Sequence, residues 1–296
     1  MNIAIVHYRS TPPWSVRDLL RAASELGVKA EYLKIQDIDV RLKDNKIEIT
    51  YRKRPLEDID AGIVRGIGLT LSLDLYMKRL GVLEALEQKF FLINSTSSIL
   101  NTRDKWRSLL RLSIHGIPVP ETIITENPFT AKKFVEEKGK AIFKPLMGSL
   151  GLGSSLVTDP DLAYHITRSL LNINIPSYYQ EYVEKPGYDL RIFIVGRNVI
   201  GAMKRVSNYW KTNIAQGAKG EKATEKEFPE AFKLALKTTE ILGLDYAGID
   251  VVIDRDTGRN YVIEANAFPL WRGLKEAVGI DPAKEIIKYV VDKVKR

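Results

Sequence analysis

The strongest constraint on the fold is a pair of apolar segments near the C-terminus that are separated by a short turn. Ala247–Ile253 and Asn260–Asn266 have the composition of β-strands, and Asp256–Gly258 lies between them. A three-residue loop with glycine in the left-handed position is typical of a β-hairpin. The two segments are therefore predicted to pair as antiparallel strands.

Three polar side chains of this hairpin are predicted to converge on one face. Pairing Arg255 with Arg259 across the turn places Asp250 opposite Glu264, and Asn266 shares the face of Glu264 because strand side chains alternate. Two like charges facing each other in a sheet are destabilising unless a cation lies between them. Carboxylate and amide oxygens suit Mg²⁺ or Mn²⁺. The pattern favours a divalent-metal site over a solvent-exposed polar face, because apolar residues surround these positions.

A lysine and a glycine-rich loop follow one another in the middle of the chain. Lys144 lies in the apolar segment Ala141–Pro145, and the loop Gly148–Gly153 comes next. Backbone N–H groups of such a loop can approach phosphate oxygens, and the lysine adds a point charge beside them. The glycine spacing matches neither the P-loop nor the dinucleotide fingerprint. The segment indicates either a phosphate-binding loop or an exposed, flexible hairpin.

A third segment has the character of a nucleotide-binding strand. Tyr178–Val183 is strand-like, and Asp189 and Arg191 follow it closely. A free strand edge can pair with the edge of adenine, and a carboxylate can bind ribose hydroxyls. An ordinary strand between two domains is the alternative, and the segment alone does not decide between them.

The remaining pattern predicts an α/β fold. Over the first 95 residues strands alternate with helices, which favours a doubly wound parallel sheet. The predicted strands there are Asn2–His7, Ala30–Leu33, Lys46–Tyr51, Ala61–Val64 and Phe90–Ile93, and the predicted helices are Trp14–Leu26 and Leu73–Gln88. Further helices are predicted at Arg103–His115, Phe228–Leu242 and Ala283–Lys295, with strands at Arg191–Val195, Ala247–Ile253 and Tyr261–Ala265. A polar run between Asn94 and Asn101 predicts a boundary.

Composition narrows the class of protein. The net charge of +8 suits a nucleic acid, a membrane surface or a small acidic ligand, but the basic residues form no single block. The absence of cysteine excludes disulfides, thiolate metal sites and thiol nucleophiles. The sequence has no signal peptide at its start and no long apolar run, which predicts a cytoplasmic protein. Few methionines and many charged residues are typical of a thermophile.

Taken together, these segments resemble the RimK-like branch of the ATP-grasp carboxylate–amine ligases. The resemblance covers nearly the whole chain. It is carried by Asp104-Lys105, Phe143-Lys144-Pro145 with its glycine-rich loop, Gln180–Val183, Asp189-Leu190-Arg191, Lys211-Thr212-Asn213, Ala247–Val251 and Ile263–Ala267.

The resemblance implies a role for each matching residue. ATP would be bound by Lys105, Lys144, Gly148, Ser149, Gly151, Gly153, Gln180, Glu181, Tyr182, Val183, Asp189, Lys211 and Asn213. Two Mg²⁺ or Mn²⁺ ions would be held by Asp250, Glu264 and Asn266. Catalysis would involve Arg191, Arg205 and Asn266, of which the arginines stabilise an acyl phosphate and a tetrahedral intermediate.

The resemblance also implies an ATP-grasp fold in three parts. These are an N-terminal Rossmann-like pre-ATP-grasp domain (1–96), a small mobile α+β central subdomain with the glycine-rich loop (97–180) and a C-terminal α+β subdomain with the metal site (181–296). After Asn266 the chain departs from the Asn-x-Ser-Pro-Gly pattern of many RimK-like proteins. This departure and the segment Val64–Gly68 are similar to the archaeal pterin-glutamate ligases, which implies that Arg65, Trp271 and Arg272 bind the substrate.

The implied activity is ATP-dependent amide formation through an acyl phosphate. Glutamate is the expected amine, and the acceptor carboxylate belongs to a small molecule, a pterin-type cofactor or an acidic protein tail. Family membership implies a dimer or tetramer, without membrane or nucleic-acid partners. Two alternatives remain open, namely a basic nucleic-acid-binding protein and an ATP-binding sensor without turnover. Salt-dependent oligonucleotide binding would favour the first, and ATP binding without phosphate release would favour the second.

Overall fold

The computed structural model describes residues 1–69, 72–146, 148, 152–214 and 217–295. In chain order, its elements are β1 (Asn2–His7), α1 (Trp14–Glu25), β2 (Lys29–Lys34), β3 (Ile38–Lys43), β4 (Lys46–Tyr51), β5 (Arg54–Pro55), β6 (Ala61–Val64), α2 (Leu73–Glu87), β7 (Phe91–Ile93), α3 (Thr96–Arg103), α4 (Lys105–Ile114), β8 (Thr122–Thr125), α5 (Pro128–Lys138), β9 (Ala141–Phe143), β10 (Ser155–Val157), α6 (Pro160–Leu171), β11 (Ser177–Glu181), β12 (Tyr188–Val195), β13 (Asn198–Val206), β14 (Lys219–Ala223), α7 (Pro229–Leu242), β15 (Tyr246–Ile253), β16 (Asn260–Asn266), α8 (Arg272–Val278) and α9 (Pro282–Val294).

The first sheet confirms the predicted parallel, doubly wound arrangement. Its strand order is β2-β1-β6-β7, and every neighbouring pair is parallel. Parallel sheets need cover on both faces, and accordingly the five residues from Ile3 to His7 in β1 and all four residues of β6 are buried. Helix α1 ends as the sequence predicts, because Gly27 adopts a left-handed φ of +70°.

One strand predicted within this region lies in a different sheet. Lys46–Tyr51 forms β4, which pairs antiparallel with β3 and β5 in a separate three-stranded sheet. The short apolar runs there resemble those of the parallel strands, so sequence alone does not assign them to a sheet. Partner choice is decided by tertiary packing.

The polar run after β7 begins a helix that the sequence does not reveal. The Ser95 hydroxyl accepts a hydrogen bond from the backbone N–H of Ser98 at 3.2 Å and caps α3. Ile99 on this helix is fully buried. The predicted helix at Arg103–His115 is present as α4, which starts two residues later because the carboxylate of Asp104 caps it through Trp106 N–H at 2.9 Å.

Two antiparallel sheets make up the rest of the chain. A four-stranded sheet with the order β10-β9-β11-β8 is flanked by α5 and α6, and a five-stranded sheet has the order β14-β13-β12-β15-β16. Helix α7 packs on β15 and β16, while α8 and α9 cover other parts of the larger sheet and α1. The larger sheet carries most of the predicted site residues.

The hairpin of β15 and β16 confirms the predicted pair Asp250 and Glu264, but not the register predicted at the turn. Asp254 rather than Arg255 faces Arg259, with a backbone hydrogen bond of 2.9 Å, and the strands continue in that register. A β-bulge at Ile263 then adds one residue to β16 and restores the expected pairing.

The residue before the bulge forms a hydrogen bond to a distant part of the chain. Val262 N–H bonds to the backbone oxygen of Pro118 at 2.9 Å. Gly258 takes the predicted left-handed conformation with a φ of +70°. The pairing of Asp250 with Glu264 therefore depends on a β-bulge that the residue pattern does not predict.

Asn94 connects the first sheet to the last one. Its amide nitrogen donates to Tyr246 O at 2.9 Å and to Ala267 O at 2.8 Å, and its amide oxygen accepts from Asp245 N–H at 2.7 Å and Tyr246 N–H at 3.1 Å. All four capacities of a buried amide are thus satisfied by backbone groups of β15 and the segment after β16. Within the described ranges, no helix combines the length and the apolarity that crossing a bilayer requires.

Replacing Asn94 is therefore expected to destabilise the fold. Asn94→Ala leaves four backbone groups without their partner in a buried place, so we expect a loss of about 3 kcal/mol in the free energy of unfolding. Urea unfolding measures it, with the exposed Asn198→Ala as the matched control. Equal stability of the two variants would show that Asn94 does not hold the two sheets together.

Candidate functional site

A row of alternating charges crosses one face of the five-stranded sheet. Arg205 on β13 faces Asp189 on β12, and Arg191 on β12 faces Asp250 on β15, which in turn faces Glu264 on β16. Residues two apart on a strand share a face, so these five side chains lie on the same side of the sheet. The predicted catalytic arginines and metal-binding carboxylates are thereby brought together.

Asp250 is held by both arginines. Arg191 donates from Nη2 to Asp250 Oδ2 at 2.9 Å and also from Nε to Oδ1, and Arg205 Nη2 lies 3.0 Å from Oδ2. Burial alone would raise the pKa of Asp250, but the two guanidinium groups hold it below its usual value. The carboxylate therefore stays charged although only 2% of the residue is exposed.

Asp189 forms the second half of this network. Arg205 donates to both carboxylate oxygens at 2.7 and 2.8 Å, Thr212 Oγ1 donates to Oδ2 at 2.5 Å, and Lys185 donates to Thr212 at 2.9 Å. Burial would lower the pKa of Arg205, but Asp189 and Asp250 raise it above its usual value. Asp189 is thus a partner of Arg205 in this structure, and its predicted contact with ribose stays a prediction.

Two lysines lie near the acidic pair of Asp250 and Glu264. Lys105 Nζ is 3.4 Å from Glu264 Oε1 and donates to Gly148 O at 2.9 Å. Lys144 Nζ donates to Gln180 Oε1 at 2.5 Å. Burial lowers the pKa of Lys144 to about 8, an effect that Glu264 opposes and Lys105 reinforces. Both predicted phosphate-binding cations therefore border the acidic pair.

The strand predicted to meet adenine lies inside the four-stranded sheet. β11 is paired on both sides, with β9 and with β8, so its edges are not free. Glu181 N–H bonds to Glu121 O at 2.8 Å and Tyr182 N–H to Lys140 O at 3.2 Å. Among the described residues, the backbone of Val183 bonds to no other backbone group. None of Gln180, Glu181, Tyr182 and Val183 is among the residues that line the cleft described below, and their predicted contact with adenine stays a prediction.

The glycine-rich loop is only partly described. Ser149 and Gly151, which were predicted to touch ATP, lie outside the described residues. Gly153 has a φ of +76°, and a Cβ there would lie 2.8 Å from the ring of Pro145. Gly148 is exposed, and its carbonyl receives the Lys105 bond described above. The described end of the loop therefore requires glycine and packs against the residue after Lys144.

A cleft that is open to solvent joins these groups, and the space within it, counted together with the solvent at its open side, is about 650 Å³. Nine of the predicted residues line it: Lys105, Lys144, Gly148, Asp189, Arg205, Lys211, Asn213, Asp250 and Glu264. Sequence reasoning missed Lys185, Trp210 and Thr212, which also line it. Their proximity in sequence to Asp189 and Lys211 was the available signal. Burial lowers the pKa of Lys185, as expected for a cation inside the cleft.

The three residues predicted to bind the substrate lie beyond the arginines. Trp271 is fully buried and donates from its indole nitrogen to Asp18 Oδ2 at 2.9 Å. Arg65 lies over its ring at 4.4 Å from the centroid, and the exposed Arg272 lies over Trp14 at 4.9 Å. Arg65 and Trp271 are thus packed against each other, and Arg272 is the one of the three that faces solvent.

The oxygen donors on β15 and β16 fit a divalent cation. Asp250 and Glu264 lie directly opposite each other. Asn266 lies opposite Gly248, and its side-chain N–H donates a hydrogen bond to Gly248 O at 3.3 Å, so the amide nitrogen is directed to the backbone. The described residues contain no cluster of three or more His, Cys, Asp or Glu side chains that could bind a metal. The predicted set is instead two carboxylates and one amide, all hard ligands. Arg191, Arg205 and Lys105 now neutralise the carboxylates.

Comparison with known proteins identifies the family. Residues 102–290 match the RimK-like ATP-grasp domain, and residues 1–99 match the RimK PreATP-grasp domain. The chain belongs to the RimK-like ATP-grasp family. It is, accordingly, an ATP-dependent, amide-forming ligase.

Individual relatives agree with this assignment. The chain is 31% identical over 290 residues to a probable alpha-L-glutamate ligase of Haemophilus influenzae, covering 94% of this chain and 93% of the relative. It is 28% identical over 310 residues to the tetrahydromethanopterin:alpha-L-glutamate ligase of Methanosarcina acetivorans, covering 94% and 95%. The ATP-grasp ligase PsnB, crystallised with a minimal precursor, Mg and ADP, has a TM-score of 0.74 at 20% identity over 99% and 98% of the two chains. That structure confirms the fold.

Removing the central cation of the charged row should destabilise the protein in a pH-dependent manner. Arg205→Met leaves two buried carboxylates short of a partner, so we expect a loss of about 3–5 kcal/mol near neutral pH. The deficit shrinks as the pH falls, because the carboxylates of the variant take up protons at a higher pH than those of the unaltered protein.

Urea unfolding at pH 8 and pH 5 tests this expectation. Arg255→Met is the matched control, since Arg255 pairs with Asp256 at 2.9 Å on the exposed turn. The control should change stability little at either pH. A deficit in Arg205→Met that stays constant between the two pH values would contradict the burial argument.

Proposed function

We propose that the protein joins glutamate to a substrate carboxylate, with ATP as the phosphoryl donor and an acyl phosphate as the intermediate. The observation that carries this proposal is the cleft in which Lys105 and Lys144 face the pair Asp250 and Glu264, beside the buried Arg205 and the partly buried Arg191. The relatives named alpha-L-glutamate ligase support glutamate as the amine.

ATP would bind with its base near Val183 and its phosphates between the two lysines. Lys144 is anchored by Gln180, and Lys105 reaches both Glu264 and the glycine-rich loop. Lys211 and Asn213 line the same cleft and would contact the triphosphate. Lysines act here as compact charges that offset the phosphates.

The chemistry requires two bond exchanges and no protein nucleophile. A substrate carboxylate oxygen attacks the γ-phosphorus, the bond to the β-phosphate oxygen breaks, and ADP leaves. The glutamate amine then attacks the acyl carbon, the bond to phosphate breaks, and the amine proton passes to phosphate or solvent. Arg205 lines the cleft, and Arg191 is bonded to Asp250, which lines it; the charge of both would stabilise the acyl phosphate and the tetrahedral oxyanion.

Divalent ions would be held by Asp250, Glu264 and Asn266, and when bound they would offset charge on the β- and γ-phosphates. Mg²⁺ is our choice, supported by the ligand set and by PsnB crystallised with Mg and ADP. Two ions follow from the family resemblance. Asp250 must loosen its contacts with the arginines to become a ligand, which would also free Arg191 to approach the reacting phosphate.

The acceptor would be a small carboxylate compound, a pterin-type cofactor or an acidic protein tail. The tetrahydromethanopterin ligase among the relatives supports the pterin-type acceptor. Arg65, Trp271 and Arg272 would border it, because they lie next to Pro269, whose side chain lies close to Gly248 and Arg191. An ATP-binding sensor without turnover is the second candidate, and it predicts nucleotide binding without ADP release.

We also propose that the chain is organised as units 1–96, 97–180 and 181–296, acting as a homo-oligomer. The residues of the three main sheets support the boundaries, since the parallel sheet ends at Ile93 and the five-stranded sheet starts at Tyr188. The central unit would close over ATP and keep water from the acyl phosphate.

Glu264→Gln tests the catalytic proposal. We expect the rate of acceptor-dependent ADP release to fall roughly 100-fold or more, because a neutral amide replaces a carboxylate that would hold the metal ions at the phosphates. Stability should change little, since Glu264 is partly exposed and forms one ion pair at 3.4 Å. The exposed Glu240→Gln on α7 is the control. Full activity of Glu264→Gln would remove the metal assignment.

Lys144 predicts how ATP affinity depends on pH. With a pKa near 8, the lysine is charged below that value and loses its charge above it. ATP binding should therefore weaken by up to about tenfold per pH unit above pH 8. Lys144→Arg should shift this weakening to higher pH. Isothermal titration between pH 7 and 9 measures both, and a pH-independent affinity would exclude Lys144 from the phosphate site.

A further inference from the structure

Three arginines, two buried and one partly buried, lie in or against the loop that follows β6, and among the described residues none of them pairs with a carboxylate. Arg65 and Arg79 are 4% and 5% exposed, and Arg103 is partly buried. The Nε atoms of all three are buried without any hydrogen-bond partner. Buried cations are normally paired with an anion, so three unpaired ones around a single loop require an explanation.

Two of the arginines converge on the same stretch of backbone. Arg79 donates from Nη1 to the carbonyl of Ile67, and Arg103 donates from Nη2 to the carbonyls of Gly68 and, at 3.2 Å, Leu69. Each guanidinium uses one nitrogen in this way and keeps Nε without a bond. Burial lowers the pKa of both groups, with no carboxylate nearby to oppose it.

No acidic side chain of the protein forms an ion pair with these three arginines. All 37 acidic residues are in the described ranges, because the undescribed positions are Thr, Leu, Met, Ser, Gly, Ala, Gln and Arg. Among the described residues, no ion pair involves Arg65, Arg79 or Arg103. The three arginines therefore have no acidic side chain of this protein as a partner.

The position in the fold is one at which α/β sheets bind ligands. In the order β2-β1-β6-β7, the chain leaves β1 toward one edge and β6 toward the other, so the switch point lies between these two strands. Ligands bind in the crevice at the carboxyl ends of the strands at such a point. The loop with the arginines follows β6, and a Cβ on Gly66 would lie 3.1 Å from His7 at the end of β1.

Two of these arginines lie close to residues of the proposed catalytic cleft, one along the chain and one through a hydrogen bond. Arg103 is two residues before Lys105, which contacts Glu264. On the other side, Arg65 Nη2 donates to Pro269 O at 2.8 Å, and a Cβ on Gly248 would lie 2.8 Å from Pro269 and 3.1 Å from Arg191. A ligand that reaches from the arginine loop to Arg191 would have its reacting end in the cleft.

We propose that Arg79 and Arg103, with Arg65 beside them, form an oxyanion subsite for the acceptor substrate. The inference rests on the proposed ligase function and specifies its substrate class. The acceptor carries a second anionic group, a phosphate or a carboxylate, at a distance from the carboxylate that becomes the amide. Guanidinium groups bind both oxyanions through paired N–H bonds.

The first test measures the stability, without ligand, of variants in which a neutral side chain replaces one of the arginines. If the arginines are unpaired cations awaiting a ligand, Arg79→Gln and Arg103→Gln remove a desolvated charge and leave the melting temperature unchanged or raised. If they serve only to brace the loop carbonyls, both variants melt several degrees lower or fail to fold, which would overturn the proposal. Arg197→Gln, on the exposed turn before β13, is the matched control.

Anion binding gives the second test. Inorganic phosphate and glutarate are titrated separately by thermal shift, against sodium chloride at equal ionic strength. We expect at least one of them to raise the melting temperature of the unaltered protein, on the order of 5 °C at saturation. The shift should persist in Arg197→Gln and in Lys144→Gln and disappear in Arg79→Gln and Arg103→Gln.

The response identifies the type of anion and separates this inference from the function. A shift with phosphate alone indicates a phosphorylated acceptor, and a shift with glutarate alone indicates a polycarboxylate. No shift with either, or a shift that survives in both variants, overturns the subsite. Failure of the ligase proposal would instead be seen as absent acceptor-dependent ADP release by the unaltered protein. Retained Mg²⁺-ATP binding in the two variants shows that the nucleotide site is intact.

Discussion

The placement of Asp250 between two guanidinium groups is the interaction on which the site depends. A carboxylate with 2% exposure would be neutral without them, and Arg191 and Arg205 hold its pKa below the usual value. Arg205 needs Asp189 in turn, so the charges of β12, β13 and β15 stabilise one another. The same charges make the site ready for phosphate chemistry, because cations and oxygen ligands already lie side by side.

The charged residues of the five-stranded sheet form the cleft only together with residues from other parts of the chain. Lys105 comes from the start of α4 and Lys144 from the end of β9, so the cleft is shared between the two antiparallel sheets. Asn94 and Arg65 tie the parallel sheet to the backbone around β15 and β16. Arg65, Arg79 and Arg103 add further positive charge around the loop after β6 of the N-terminal sheet, where we propose that the acceptor binds.

The sequence allows much of this to be predicted, for a physical reason. Polar residues inside apolar strands are rare, so Asp250, Glu264 and Lys144 are visible without a structure, and strand periodicity puts neighbours on a known face. The pair Asp250 and Glu264 is confirmed although the turn register was wrong by one residue. The bulge at Ile263 compensates, and no local residue pattern shows it, because the neighbouring Val262 bonds to Pro118, which is far away in sequence.

The sequence by itself determined the family, the alternation of strands and helices in the first third, and the types of side chain available for ATP and metal binding. Only the tertiary structure decided which charges neutralise each other, that Trp271 is buried, and that Arg79 and Arg103 meet at one loop. The physical reason is that periodicity acts between neighbouring residues, whereas ion pairing and desolvation depend on residues far apart in sequence. Strand β14 and helix α7 lie between Arg205 and Asp250 along the chain, and the contact of the two residues exists only in the folded sheet.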